Sequence, residues 1–202
     1  MARYTGPKGR INRRIGVMLY EDNGAVKALD KRKNPPGMHT RSRRPSNYGM
    51  GLREKQKIKY YYGVSEKQLR RYFEIAKHSK GNTGENLLLM CERRLDNVVR
   101  RVGLAKTRPQ ARQGVAHGHF CVNGRKVDVP SFQVRPGDVI TVRSQEALRN
   151  YYRGNLVNSS TQGLEWAGFD SDTMTITITG KPGPTDISLG VDGNMVVEFM
   201  SR

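Results

Sequence analysis

Apolar positions in this chain keep a helical period for its first half and shift to a strand period later. LREKQKIKYYYG, from Leu52, reads as one helix closed by Gly63. VSEKQLRRYFEIAKHSKG begins again with Ser65 three residues ahead of Gln68, a capping-box spacing. Leu69, Tyr72, Phe73 and Ala76 recur at helical spacing, which predicts a face toward a core and leaves Arg70, Arg71 and Lys77 outside. A third helix is expected over residues 86–102, where Leu87, Cys91, Leu95, Val98, Val99 and Val102 form one apolar face and Gly103 stands at the C-cap. Arg94 and Arg101 border that face, while Arg93 and Arg100 lie on the opposite side, so an arginine stripe runs beside the buried one. Thr107, Pro109 and Gln110 announce a fourth, short helix. Its Ala111 and Val115 turn inward, and Arg108 and Arg112 form an i, i+4 basic pair beside them.

After Gly118 the period changes. HFCVNGRKVDV reads as strand, Asn-Gly turn and strand, with Arg125 and Lys126 projecting just past the turn. QVRPGDVITVRS adds a Pro-Gly-Asp turn and a strand over Val139 to Val142. QEALRNYYRGNL suggests a short helix, with Tyr151 and Tyr152 packing or standing at a rim. In DSDTMTITITG the threonines alternate with Met174, Ile176 and Ile178, a half-buried strand. Trp166 reads as a core anchor, and the apolar run in GNMVVEFMSR should close on an earlier part of the fold. The fold class expected is α+β: a mainly helical domain with a basic N-terminal arm, plus a module of two helices and a small antiparallel sheet. Residues 1–47 are read as an extended basic arm with little regular structure, because KRKNPPGMHTRSRRPSNYG mixes proline and glycine among its cations. Residues 48–93 are read as a helical domain completed by the tail 180–202, and 94–179 as the module with a strand extension. KGNTG, residues 80–84, marks a hinge or boundary near the end of the basic half.

Charge narrows the function. The formal net charge is +18 and it is regional: residues 1–80 carry +15, 81–150 carry +6 and 151–202 carry −3. That asymmetry calls for a polyanionic partner, a nucleic acid, instead of a generally solvated surface. The arm would order along phosphates, with Arg3, Arg10, Arg13, Arg14, Arg43 and Arg44 as contacts. Arg53, Lys55, Arg70 and Arg71 are further candidates, although the bases of the first helix are spread around it. In the module, Arg94, Arg101, Arg108, Arg112, Arg125 and Lys126 are free to converge. His117 and His119 either donate to RNA or hydrogen-bond locally. Tyr60 to Tyr62, Tyr72 and Phe73 read as core more than as base-stacking platforms, since aromatics at helical spacing usually pack. RNA fits this compact, pocket-poor module better than DNA, because RNA is read through backbone shape and 2′-hydroxyls.

Other chemistry is scarce. Cys91 and Cys121 sit among apolar residues and read as free thiols in or near a core. They build neither a disulfide framework nor a zinc cluster with the four histidines, so no metal or other cofactor is expected. Asp96, Asp128 and Asp138 are scattered singly, and GPKGR and GNTGEN lack the ending of a phosphate-binding loop, so no enzyme is expected. No apolar run is long enough to span a bilayer, and a reducing cytoplasm is the expected setting.

Long ordered stretches, MARYTGP, YGMGLREKQKIKYYYGVSEKQLRRYF, KGNTGENLLLMCERRLDNVVRRVGLAKTRPQARQGVAHGHFCVNGRKVDVPSFQVRPGDVI and VVEFMSR, resemble the bacterial small-subunit ribosomal proteins of the universal fourth family. Their RNA-binding module also occurs in some tyrosyl-tRNA synthetases and pseudouridine synthases. The resemblance implies a structural constituent of the small subunit that binds the 5′ domain of small-subunit rRNA early and nucleates assembly. It implies a place where messenger RNA enters the subunit, beside small-subunit proteins 3 and 5. It also implies that Arg94, Arg108, Arg112, His117 and Arg125 contact RNA. The metal-binding cysteine cluster of some relatives has no counterpart in this arm, and Arg100 replaces a common tyrosine. A regulator of messenger RNA away from the ribosome is the alternative, and an RNA-modifying enzyme using the same module is a third.

Overall fold

The computed structural model describes residues 4–32, 34–38, 44–156 and 164–202. These fall into two compact units, residues 1–88 with 189–202 and residues 89–188.

The first unit is helical. Its opening corrects the expectation of an arm without regular structure: α1 spans Lys8–Ile15 and α2 spans Asn23–Lys31. The reason is a small local core. Ile11, Leu19, Tyr20 and Ala25 are buried, and the Asn12 side chain is buried among them. Its Oδ1 accepts from the amides of Leu19 and Tyr20, each at 3.1 Å, and its Nδ2 donates to the Tyr20 carbonyl at 3.0 Å. One asparagine thus satisfies three backbone groups where the chain turns back between the helices, which is how a charged segment with few apolar residues still orders.

α3, Asn47–Tyr61, starts five residues before the expected Leu52 because the Ser46 hydroxyl accepts from the Gly49 amide at 3.2 Å. α4, Glu66–His78, follows with the expected cap, Ser65 accepting from the Gln68 amide at 3.3 Å. Leu69, Tyr72, Phe73 and Ala76 are buried, while Arg70, Arg71 and Lys77 are exposed. The tail closes on this unit as α9, Gly193–Ser201, with Phe199 packing against Gly51 and Tyr48 of α3.

The second unit takes up the chain within α5, Thr83–Glu92. The single helix expected over 86–102 is interrupted here. The Leu95 amide donates to the Phe132 carbonyl at 2.9 Å and the Val134 amide to the Arg93 carbonyl at 3.0 Å. Arg94 thereby pairs with Gln133 as extended chain, and α6 starts afresh at Leu95–Arg101. Nonlocal backbone pairing overrides the helical pattern, while its apolar residues Leu87, Cys91, Leu95, Val98, Val99 and Val102 are all buried.

α7, Arg108–Ala116, carries the predicted Thr107 cap. The sheet then forms from β1 (Phe120–Val122), β2 (Arg125–Val127), β3 (Val139–Val142), β4 (Ala167–Asp170) and β5 (Thr175–Ile178). Their order is β2-β1-β3-β5-β4, antiparallel throughout. The β1–β2 turn places Asn123 at φ 50° and Gly124 at φ 78°, the left-handed pair that an Asn-Gly hairpin requires. α8, Glu146–Leu156, lies between β3 and β4 in sequence. One core joins Leu95, Val98, Val99 and Val115 of the helices to Phe120, Ile140, Ile176, Ile178 and Trp166.

Candidate nucleic-acid interface

The break after Arg93 creates the central feature of the second unit. Arg94 occupies the N-cap position of α6 with its side chain buried, 1% exposed. Its Nε and Nη2 donate to the two carboxylate oxygens of Asp96 at 2.9 and 2.6 Å, a forked pair. Arg112 of α7 reaches the same carboxylate from the other side, Nη1 to Oδ2 at 3.4 Å. Asn97 is the second hub. Its Nδ2 donates to the Glu92 carboxylate at 2.6 Å, and its Oδ1 accepts from Arg108 Nε at 3.3 Å. Arg101 Nη1 meets Glu92 at 3.1 Å and also donates to the Asp186 carbonyl, while Ser188 donates its hydroxyl to the other Glu92 oxygen at 2.9 Å.

Four of the predicted RNA contacts therefore converge, but inward: Arg94, Arg112 and Arg101 on the carboxylates of Asp96 and Glu92, and Arg108 on the Asn97 amide oxygen. Arg94 is the clear correction: a guanidinium buried to this degree and held by a fork is a structural cation, not an RNA contact. Arg101 and Arg112 are nearly covered, with 15% of each side chain exposed, and Arg108 is half-buried. Two carboxylates against four guanidiniums leave this corner of α6 and α7 with excess positive charge and fixed geometry. Asp96, Asn97 and Glu92 were the residues missed. The available signal was that Asp96 is the sole acid between residues 94 and 124.

On the hairpin of the same unit Arg125 and Lys126 are exposed, as is His117 at the end of α7. The Lys126 chain crosses close to Gly118. The His117 and His119 rings stand edge to face at 5.8 Å, and His119 Nδ1 lies 2.9 Å from the Tyr152 hydroxyl. Burial lowers the His119 pKa, with His117 and Arg143 adding to it, so this imidazole is neutral at pH 7. His119 thus bonds locally, whereas His117 stays available. Tyr152 packs against Phe120 and Tyr151 is 51% exposed, its hydroxyl accepting from Gln110 at 2.7 Å.

In the first unit Arg10, Arg14, Arg44, Arg53, Arg70 and Arg71 are exposed. Arg13 is half-buried and donates to the Asn34 carbonyl at 2.9 Å. Lys55 departs from expectation. It ion-pairs with Glu66 at 2.6 Å and lies 4.9 Å from the Phe199 ring centroid, which leaves 11% of its side chain exposed. Arg3 and Arg43 lie outside the described residues. Among the described residues no group of three His, Cys, Asp or Glu could hold a metal, and no helix is long and apolar enough to cross a membrane.

Comparison with known proteins decides between the readings. Residues 3–92 match the Ribosomal protein S4/S9 N-terminal domain family, and residues 93–140 match the S4 domain. The small ribosomal subunit protein uS4 of Rhodopirellula baltica is 66% identical over 202 residues, the full length of both chains. The chain belongs to the uS4 family. Proteins of the same name from Chloroflexus aurantiacus and Persephonella marina are 47% and 44% identical, again over the whole of each chain. Within this uS4 chain the S4-domain match covers Arg94, Asp96, Asn97, Arg101, Arg108 and Arg112, together with the hairpin cations. The exposed faces of α1 and α4 belong to the N-terminal match. Membership of this family makes the chain a structural RNA-binding protein, not an enzyme.

Proposed function

We propose that this chain binds the 5′ domain of small-subunit rRNA directly and nucleates its folding, beside small-subunit proteins 3 and 5 and where messenger RNA enters the subunit. The coarser part, a ribosomal structural role with rRNA as ligand, follows from belonging to the uS4 family. The proposed setting is the cytoplasm.

The observation that supports shape reading over loose attraction is the Asp96–Asn97–Glu92 hub. Arginines held by buried acids keep their geometry in the absence of ligand, so less ordering entropy is lost when RNA docks. A tight set of cations suits a folded RNA, whose phosphates are fixed in space, more than an unstructured strand. The test is a titration of the 5′-domain transcript against an unrelated RNA of equal length at about 0.15 M salt and above. A preference for the ribosomal transcript that survives added salt is expected. Equal binding that disappears together would refute shape recognition and leave only counterion release.

A further inference from the structure

Three tyrosines of the first unit surround an open cleft of about 280 Å³ that none of the cation chemistry above uses. Tyr60 leaves the end of α3, Tyr20 comes from the segment between α1 and α2, and Tyr4 precedes α1. Its neighbours Tyr61 and Tyr62 are buried, but Tyr60 is only half-buried, and Tyr4 is 38% exposed. The Tyr4 and Tyr60 rings meet edge to face at 5.5 Å and 74°, so the pair covers one face of one ring and forms a corner instead of a sandwich. Tyr20 is buried beneath, and burial, followed by the nearby Tyr60, Tyr4 and Asp22, pushes its pKa up, keeping a protonated hydroxyl there. Lys59 and Glu66 line the opening, and their 3.2 Å ion pair shares Glu66 with Lys55, leaving one lysine charge in excess.

Tyr4 is held in place by the backbone around it. Its hydroxyl donates to the Pro7 carbonyl at 3.4 Å, and a Cβ on Gly6 would stand 2.6 Å from that hydroxyl. Glycine at position 6 therefore lets the ring fold back to form a wall of the cleft. The volume falls just short of the roughly 300–1,000 Å³ of drug-sized pockets, which is room for one ring system.

The geometry points to a binding slot for a single unstacked nucleobase of the bound RNA, seated in the Tyr4–Tyr60 corner, with Lys59 at the rim toward the adjoining phosphate. This rests on the RNA-binding reading above and adds to it a contact that reads an extruded base by stacking. Flat, neutral, aromatic and tied to a polyanion, a base suits both the ring walls and the net charge of +15 over residues 1–80.

The experiment uses the full chain and the 5′-domain transcript, comparing Tyr60→Leu, Tyr60→Phe and Gly6→Ala, with ultraviolet crosslinking of the wild-type complex. Tyr60→Leu is expected to weaken binding about tenfold, the scale of losing one stacked base, with the salt dependence unchanged because the same phosphates stay neutralised. Tyr60→Phe keeps the ring and should bind as wild type, whereas Gly6→Ala, which displaces Tyr4, should fall between. A crosslink on Tyr4 or Tyr60 supports the slot even if Tyr60→Leu unfolds, and its absence overturns it. Wild-type affinity in Tyr60→Leu also overturns the slot while leaving RNA binding intact. A wild-type chain that ignores the transcript removes the RNA reading and the slot with it.

Discussion

The two units use arginine in opposite ways. In the first, Arg10, Arg14, Arg70 and Arg71 stand on exposed helix faces, and among the described residues no ion pair joins them to a carboxylate. In the second, Arg94, Arg101, Arg108 and Arg112 are tied to Asp96, Asn97 and Glu92. Free exposed cations cost no internal partner but hold no geometry; they attract any polyanion. Cations organised by buried acids give up part of their charge in exchange for fixed positions. A protein with both can gather RNA through one region and discriminate through the other.

The sharpest way to break this contrast is Asp96→Ala. It removes the forked carboxylate that pairs with buried Arg94 and with Arg112, and removing one partner of a buried pair costs about 3–5 kcal/mol. Urea unfolding should report a loss of that order, larger than for any exposed arginine of the first unit. A loss below about 1 kcal/mol, typical of surface pairs, would mean that the hub does not organise the second unit.

Next in size is a difference between double variants. Arg108→Ala with Arg112→Ala should weaken binding to the 5′-domain transcript tenfold or more, at roughly 1.5–3 kcal/mol for each charge-assisted hydrogen bond, while unrelated RNA is little affected. Arg70→Ala with Arg71→Ala should lower affinity for both RNAs alike and reduce the salt slope by about 0.7–0.9 for each phosphate no longer neutralised. Titrations at several salt concentrations separate the two. Identical behaviour of the pairs would collapse the distinction between gathering and reading.

Local signals explain what was legible beforehand. The caps at Ser65 and Thr107, the Asn123-Gly124 turn and the alternation of Met174, Ile176 and Ile178 each depend on residues a few positions apart, and each formed as expected. The break at Arg94 depends on residues 132–134, about forty positions away, and no local period could betray it. The α1–α2 pair was missed because its order comes from one buried asparagine and a handful of small apolar residues, hidden in a run of cations. At the candidate site, charge singled out a group of arginines that the fold brings together. It did not reveal which way they pointed, because Asp96 read as an isolated acid and Glu92 was not singled out until the fold brought both to the arginines.

Glu66 offers the smallest and finest comparison, since it is the first unit's nearest counterpart to Asp96: one carboxylate shared by Lys55 and Lys59 at 2.6 and 3.2 Å. Burial alone would raise its pKa, but the hydrogen bonds and charges of the two lysines outweigh it and hold the group below its ordinary 4.5. A depressed carboxylate contributes stability that is present above the unfolded value and is lost as pH falls through the folded one. With 35% of the side chain exposed, solvent screening keeps the contribution under about 1 kcal/mol. Glu66→Gln should therefore lower the urea midpoint slightly at pH 7, and the gap to wild type should close as pH is taken down past 4.5. A gap of the same size in acid would mean that Glu66 acts through packing, and that charge in the first unit is not organised even at this one site.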